Sequence, residues 1–232
     1  MKNHLFRAFS LFSLLLVTAA TAPAQTVTYN ASADFTPGLS NPNGVWFYGY
    51  TANLAGTLTP FADYTFNSSA QVYSWSTNLS LGAPAIFFNF GTSALNGLPP
   101  NQLALHPGPS GEYAVLRFTA PADGNYGIAA QFFSGDAGGT DATILVNGQA
   151  SSSIFFAADT GSNPAFSGSV TLNLGDRLDF AVGAPSSFFF GTTPLAVVLT
   201  FTPVPVPEPG TGALFVLGAP LVLAWSLRRR HS

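Results

Sequence analysis

The residues best suited to chemistry in this chain are aromatic rather than charged. Trp46, Tyr48 and Tyr50 alternate along one short run, with Phe47 between them, and Tyr73 and Trp75 repeat the spacing. In a strand, residues two apart share a face, so each set makes one row of rings. Rows of Trp and Tyr suit two uses. Exposed, they stack against sugar rings, with Asn, Gln and Asp reading the hydroxyls. Buried, they pack a sheet. A second candidate is the loop Gly135-Asp136-Ala137-Gly138-Gly139-Thr140-Asp141. Its two carboxylates, Asp136 and Asp141, its carbonyls and its glycines are the oxygen-rich, tightly wrapped setting that Ca²⁺ takes. The spacing departs from the EF-hand loop, and a plain turn is the alternative.

Acid–base constellations are sparse. The segment between the two chain ends holds a single histidine, His106, in a His-Pro-Gly context. No strand–turn–helix elbow surrounds a serine, so a Ser-His-Asp triad lacks its setting. Glu112 with an aspartate would be the pair for glycoside hydrolysis. Several of the acids, however, Glu112, Asp123, Asp136 and Asp176 among them, lie beside Gly in turn-like contexts, where Asp closes turns. The chain is expected not to be an enzyme, with a glycan-acting hydrolase as the lesser alternative.

Composition narrows the classes further. Of 232 residues, 47% are hydrophobic and 7% charged, against roughly 25% charged in ordinary soluble domains. There are 22 Phe and no Cys, so disulfides, thiolate metal sites and cysteine nucleophiles are excluded. Five of the seven basic residues sit at the two ends. Between them remain nine acidic residues, Arg117, Arg177 and no lysine, a balance of −7. Such a surface repels phosphate backbones, so nucleic acid is not an expected partner.

The ends read as addresses. Lys2 and Arg7 precede an apolar run, and Ala22 and Ala24 supply the small residues of a signal-peptide cleavage site, giving a leader over 1–24. At the other end, a Pro-rich stalk with Val206, Pro207, Glu208 and Pro209 covers 203–209. An uncharged run over 210–227 follows, long enough to cross a bilayer, and then a basic tail over 228–232 with Arg228, Arg229 and Arg230. The order Pro-Glu-Pro, apolar helix, arginine cluster resembles the PEP-CTERM sorting signal. The resemblance implies recognition by an exosortase during export and transient membrane anchoring. Cutting near Pro207-Glu208-Pro209 follows, with release or attachment at the surface of a Gram-negative bacterium that makes extracellular polysaccharide.

The segment 25–202 must then position the rings and carboxylates. Helical periodicity is nearly absent. Short alternating runs broken by Gly, Pro, Asn and Asp predict an all-β fold, a single jelly-roll-like β-sandwich. Ala114, Leu116, Phe118 and Ala120 share one face of a strand from Tyr113 to Ala120. Leu178, Phe180 and Val182 share another, as do Val170, Leu172 and Leu174. Leu195, Val197, Leu199 and Phe201 make a closing strand. Val45–Tyr50, Ala70–Thr77 and Ala85–Phe90 predict strands in the first half. Asn147-Gly148 signals a hairpin, and Pro121–Gly124 and Gly175-Asp176 signal tight turns. Paired phenylalanines such as Phe87-Phe88, Phe155-Phe156 and Phe188-Phe189-Phe190 suggest a thick core or a self-associating surface.

Several of these segments, His106-Pro107-Gly108, Tyr113–Pro121, Ile144–Gly148 and Leu174–Gly183, together with the opening Asn41-Pro42-Asn43-Gly44-Val45-Trp46, resemble a module common in PEP-CTERM proteins. The module is itself similar to the jelly-roll sandwiches of carbohydrate-binding modules. Here Gly191 precedes Thr192-Thr193, where the pattern carries an Asp, so a ligand or cation role of that Asp is not carried over. The expected function is a secreted surface or matrix protein associating with extracellular polysaccharide. The alternative is a structural protein that binds copies of itself.

Overall fold

The computed structural model describes residues 25–203, apart from 39, 78–81 and 137. The expected leader with Ala22 and Ala24, and the sorting segment with Val206, Pro207, Glu208, Pro209, Arg228, Arg229 and Arg230, lie outside the described residues. Fourteen strands follow in order: β1 (Val27–Asn30), β2 (Trp46–Thr51), β3 (Thr59–Pro60), β4 (Asp63–Asn67), β5 (Val72–Ser76), β6 (Ala85–Asn89), β7 (Leu103–His106), β8 (Tyr113–Thr119), β9 (Gly124–Phe132), β10 (Asp141–Val146), β11 (Ser153–Ala157), β12 (Ala165–Leu172), β13 (Arg177–Gly183) and β14 (Thr193–Pro203). The one helical element among them is a single 3₁₀ turn, Ala150–Ser152.

The strands form two antiparallel sheets. The larger runs β12-β9-β14-β7-β6-β5-β4, and the smaller β11-β10-β13-β8-β2-β3. Strand β14 organises the larger sheet. One of its edges pairs with β9 from Leu195 to Pro203. Its other edge is shared between β7 at Thr193–Leu195 and β1 at Val198–Phe201.

The alternation expected from the sequence becomes the core. Leu116 and Phe118 on β8, Leu178, Phe180 and Val182 on β13, and Leu195, Val197 and Leu199 on β14 are all buried in one cluster, joined there by Tyr126, Ile128 and Phe132 of β9, a strand not foreseen from the sequence. With no disulfide available, burial of this kind carries the stability. The core closes entirely within the described residues, which pack as one compact unit beginning at Gln25. With its own buried core cluster, this segment is expected to fold by itself.

Two local expectations change. The strand expected through Leu174 ends at Leu172, and Leu174 is exposed. The Asp176 carboxylate accepts the Asn173 N–H at 2.8 Å, and Asp123 accepts the Leu174 N–H at 2.6 Å. Together they close a turn whose Gly175 has φ +87°. The Asn147-Gly148 connection is longer than a two-residue hairpin. Asn147 and Gly148 take φ of 55° and 68° as that turn requires, but the chain then adds the 3₁₀ turn before β11. The Asn147 side chain reaches β13 instead, accepting the Arg177 N–H at 2.9 Å and donating to Asp176 at 3.1 Å.

Phe118 sits against Trp46, Tyr29 and Tyr126. Replacing it with Ala leaves a cavity between the sheets, and the expected cost is about 3–5 kcal/mol. Leu174→Ala, at the exposed turn, is expected within about 0.5 kcal/mol of the parent. Urea denaturation of 25–203 measures both, and equal effects would contradict this placement of the core.

Candidate functional site

The predicted aromatic rows split between inside and outside. Trp46, Tyr48 and Trp75 are 1%, 0% and 4% exposed. Tyr48 stacks on Trp75 with centroids 6.1 Å apart, and Trp46 packs on Phe118 at 5.3 Å. The Trp46 indole N–H donates to Asp34 at 3.0 Å. Tyr48 is locked at the backbone, where the Asn41 carboxamide accepts its N–H at 3.0 Å and donates to its carbonyl at 2.7 Å. Burial pushes the Tyr48 hydroxyl well above its ordinary pKa. No face of these three rings is open to a sugar, and the expectation that they bind glycan is corrected: they are core. Tyr50 is half-buried and stacks on Phe61 at 5.7 Å. Tyr73, the fifth, is also half-buried, but it lies beside exposed rings.

Around Tyr73 the structure assembles a different set of rings. The register places Phe66 opposite Tyr73 and Tyr64 opposite Trp75 across β4 and β5, and Phe88 opposite Tyr73 across β5 and β6. All therefore share the inner face of the larger sheet. Cover fades along that face. On β6, Ile86 and Phe88 are buried, but the next inward residue, Phe90, is 53% exposed. On β4, Tyr64 is half-buried and Phe66 is 43% exposed. The smaller sheet ends nearby in β3, only two residues long. The aromatic row continues past its cover and emerges as a platform. Phe66 and Tyr73 stack at 4.5 Å, Tyr64 and Tyr73 at 5.8 Å, and Phe90 meets Tyr73 edge-on at 6.0 Å.

A cleft of mixed apolar and polar lining adjoins this platform. Asn30, Ser32, Phe35, Phe88, Phe90 and Asn101 are among the residues lining a hollow of ≈ 380 Å³. Its wall is pinned. The Asn30 side-chain oxygen accepts the N–H groups of Ser32 and Ala33, both at 3.1 Å, and Asp34 accepts the Asn30 N–H at 2.9 Å. Phe35 is thereby held stacked on Phe88 at 4.5 Å. The result is an open aromatic surface flanked by carboxamides and a hydroxyl. Such a surface offers apolar ring area beside groups that can hydrogen-bond.

The two carboxylates expected to hold Ca²⁺ serve separate internal networks. Asp136 accepts the Thr192 N–H at 2.8 Å and the Thr192 hydroxyl at 3.1 Å. Asp141 is buried and accepts the Gly183 N–H at 3.0 Å and the Tyr113 hydroxyl at 3.0 Å. Among the described residues, no group of three or more His, Asp or Glu side chains is placed to hold a metal ion. The turn alternative describes Asp136: it fastens the segment after Phe188-Phe189-Phe190, where Gly138 also donates to the Phe190 carbonyl at 2.7 Å. His106 Nδ1 lies 2.9 Å from the Pro107 carbonyl, between Phe87 and Phe188. The Glu112 carboxylate accepts the Ser110 N–H at 2.8 Å and closes its own turn. Arg117 and Asp179 form a part-buried two-pronged pair at 2.6 and 2.8 Å across β8 and β13.

Tyr64, Phe66 and Phe90 were not singled out from sequence. The signal was present as alternation in Asp63–Asn67, but nothing in one strand tells which end of a sheet its partner covers.

The fold and site define an acidic two-sheet antiparallel β-sandwich with an aromatic platform at one edge. No family model matches the chain, and no curated protein matches it. Among solved structures, it is similar to a family 35 carbohydrate-binding module from Clostridium thermocellum, at 16% identity and a TM-score of 0.31, over 78% of this chain and 100% of that one. A second structure of a family 35 module from the same organism gives 14% and 0.32, over 76% and 98%. Pika GITRL gives 14% and 0.28, over 40% and 75%.

Asp141 supplies a pH test. Burial raises its pKa, and the hydrogen bonds from Tyr113 and Gly183 recover part of the shift. Burial and the nearby carboxylate push the Tyr113 hydroxyl up to about 12. A carboxyl with a raised folded pKa favours the fold when protonated, and that contribution is lost as pH rises through the folded value. Asp141→Asn keeps an acceptor for Gly183 and removes the buried charge. The variant is therefore expected to be at least as stable as the parent at about pH 7, with the difference shrinking toward about pH 4 as Asp141 protonates. Urea midpoints at both values check this. A variant markedly less stable at neutral pH would contradict it.

Proposed function

We propose that this chain is an exported surface or matrix protein. It carries a PEP-CTERM-type sorting segment processed by an exosortase, and its jelly-roll-like sandwich associates with extracellular polysaccharide. The observation that carries the binding half is the platform of Phe66, Tyr73 and Phe90 beside the Asn30–Asn101 cleft. Large solvent-facing rings in register, backed by a packed core, offer apolar area that a soluble domain otherwise buries. The flanking carboxamides give it the polarity that a sugar needs and an apolar partner does not. The −7 balance of the exported segment favours a neutral glycan over an anionic one, because a charged polymer would be repelled. The export half rests on the ordered terminal features: the Ala22 and Ala24 cleavage site, Val206-Pro207-Glu208-Pro209, the apolar run and the three arginines.

Recovery of the secreted protein from producing cells tests both halves. Intact mass is expected to correspond to a chain starting at Gln25 and ending near Pro207. The protein is expected to co-purify with the polysaccharide fraction. Phe66→Ala and Phe90→Ala are each expected to weaken retention about tenfold, ~1.4 kcal/mol, without lowering the melting temperature. Retention unchanged in both variants would refute the platform, and a mass including 210–227 would refute the processing.

A further inference from the structure

We propose that the edge of β12 that no strand covers among the described residues pairs antiparallel with the β12 of a second copy, joining two larger sheets into one. The hydrogen-bond phase of the sheet sets which groups are free. Phe132 donates to the Pro164 carbonyl, and Phe133 donates to the Pro194 carbonyl. In β9, even-numbered residues therefore bond toward β12 and odd-numbered ones toward β14. The register pairs Phe166, Gly168 and Val170 with Ala130, Ile128 and Tyr126, so these β12 residues are the ones bonded inward. By alternation the N–H and C=O groups of Ser167, Ser169 and Thr171 point away from the sheet. All three residues are exposed.

This edge lacks the usual guards. Native sandwiches protect edges with charges, prolines, bulges or short length. Among the described residues the other edges have them, β1 being only four residues long. β3 is two residues long and contains Pro60, β4 begins at Asp63, and β11 joins β10 across a register shift at Ile144/Leu145. Strand β12 is eight residues long, pairs with β9 without a shift, and holds no charge and no proline. The nine acids of the segment all lie elsewhere.

The occupant is a second copy because the edge complements itself. A two-fold axis at Ser169 sets Ser167 opposite Thr171 of the second copy, and all outward-pointing groups then meet outward-pointing groups. The exposed face gains Ser–Thr cross-strand pairs. On the inner face Phe166 meets Leu172 of the second copy, and Gly168 meets Val170, which extends the core across the join.

If the polysaccharide reading holds, the pairing has a consequence. β12 and β4 are opposite edges of the same sheet. At ~4.8 Å per strand the two platforms of a pair stand about 50 Å apart along the joined sheet. One dimer would then bridge two polymer chains and bind with avidity.

Sedimentation equilibrium of 25–203 from micromolar to millimolar concentration tests the pairing without any glycan. A reversible dimer is expected, strengthened by salt because both copies are acidic. Ser169→Pro removes an outward N–H and leaves the β9 ladder intact, and Ser167→Lys adds a charge at the join. Each is expected to weaken the dimer at least tenfold with unchanged circular dichroism, while Phe156→Ala on the neighbouring edge leaves it intact. A monomer at every concentration, or a dimer indifferent to both β12 variants, would overturn the proposal. Retention of monomeric Ser169→Pro on polysaccharide reports the platform separately, so the two readings fail independently.

Discussion

Ring packing between two sheets of unequal reach is the constraint on which the rest of this structure depends. The chain has no cysteine and little charge, so the sheets are held by apolar burial, and large rings set their separation. Tyr48 from β2 against Trp75 from β5, and Phe118 from β8 against Tyr126 from β9, span the gap. Where the smaller sheet covers the larger, rings on the inner face are core. Where the cover ends, the same alternation continues and delivers Phe66 and Phe90 to solvent, with Tyr73 half-buried between them. Core and platform are one aromatic row, separated only by what lies opposite.

That origin gives the platform its rigidity. Tyr73 is stacked on both Tyr64 and Phe66 and touches Phe35 at 6.2 Å. Phe35 is held by the loop that Asn30 and Asp34 close. A ligand meeting such a surface orders few side chains on binding, which lowers the entropic cost of association. Asp34 also ties the platform to the core, since its carboxylate accepts both the Asn30 N–H and the Trp46 indole N–H.

Much of the fold was legible in the sequence, and the reason is local. Alternation in Tyr113–Ala120, Arg177–Val182 and Leu195–Phe201 needs only period two to place its inward residues, and the structure puts them there. The all-β sandwich follows from such segments. The short strands β1, β3, β4 and β7 were not foreseen, because pieces of two to five residues carry little periodic signal; nor was β9, nine residues long, whose inward Tyr126 and Ile128 are diluted by Gly124, Gly127 and two alanines. The site was less legible for a different reason. Trp46, Tyr48 and Trp75 have the composition and spacing of a sugar-binding row, and spacing is identical for a covered and an uncovered face. Burial is decided by the facing sheet, which is remote in sequence. Asp136 and Asp141 mislead similarly. Carboxylates in a glycine-rich loop suit a cation, yet here they satisfy the Thr192, Gly183 and Tyr113 donors.

The most direct measurement of the central claim is a ring-resolved NMR titration of 25–203 with short neutral gluco- and manno-oligosaccharides. The expected result is perturbation of the Phe66, Tyr73 and Phe90 ring protons and of the Asn30 and Asn101 carboxamides, with the Trp46 and Trp75 indoles unmoved. Perturbations that leave the platform silent and fall elsewhere on the sandwich would contradict the account.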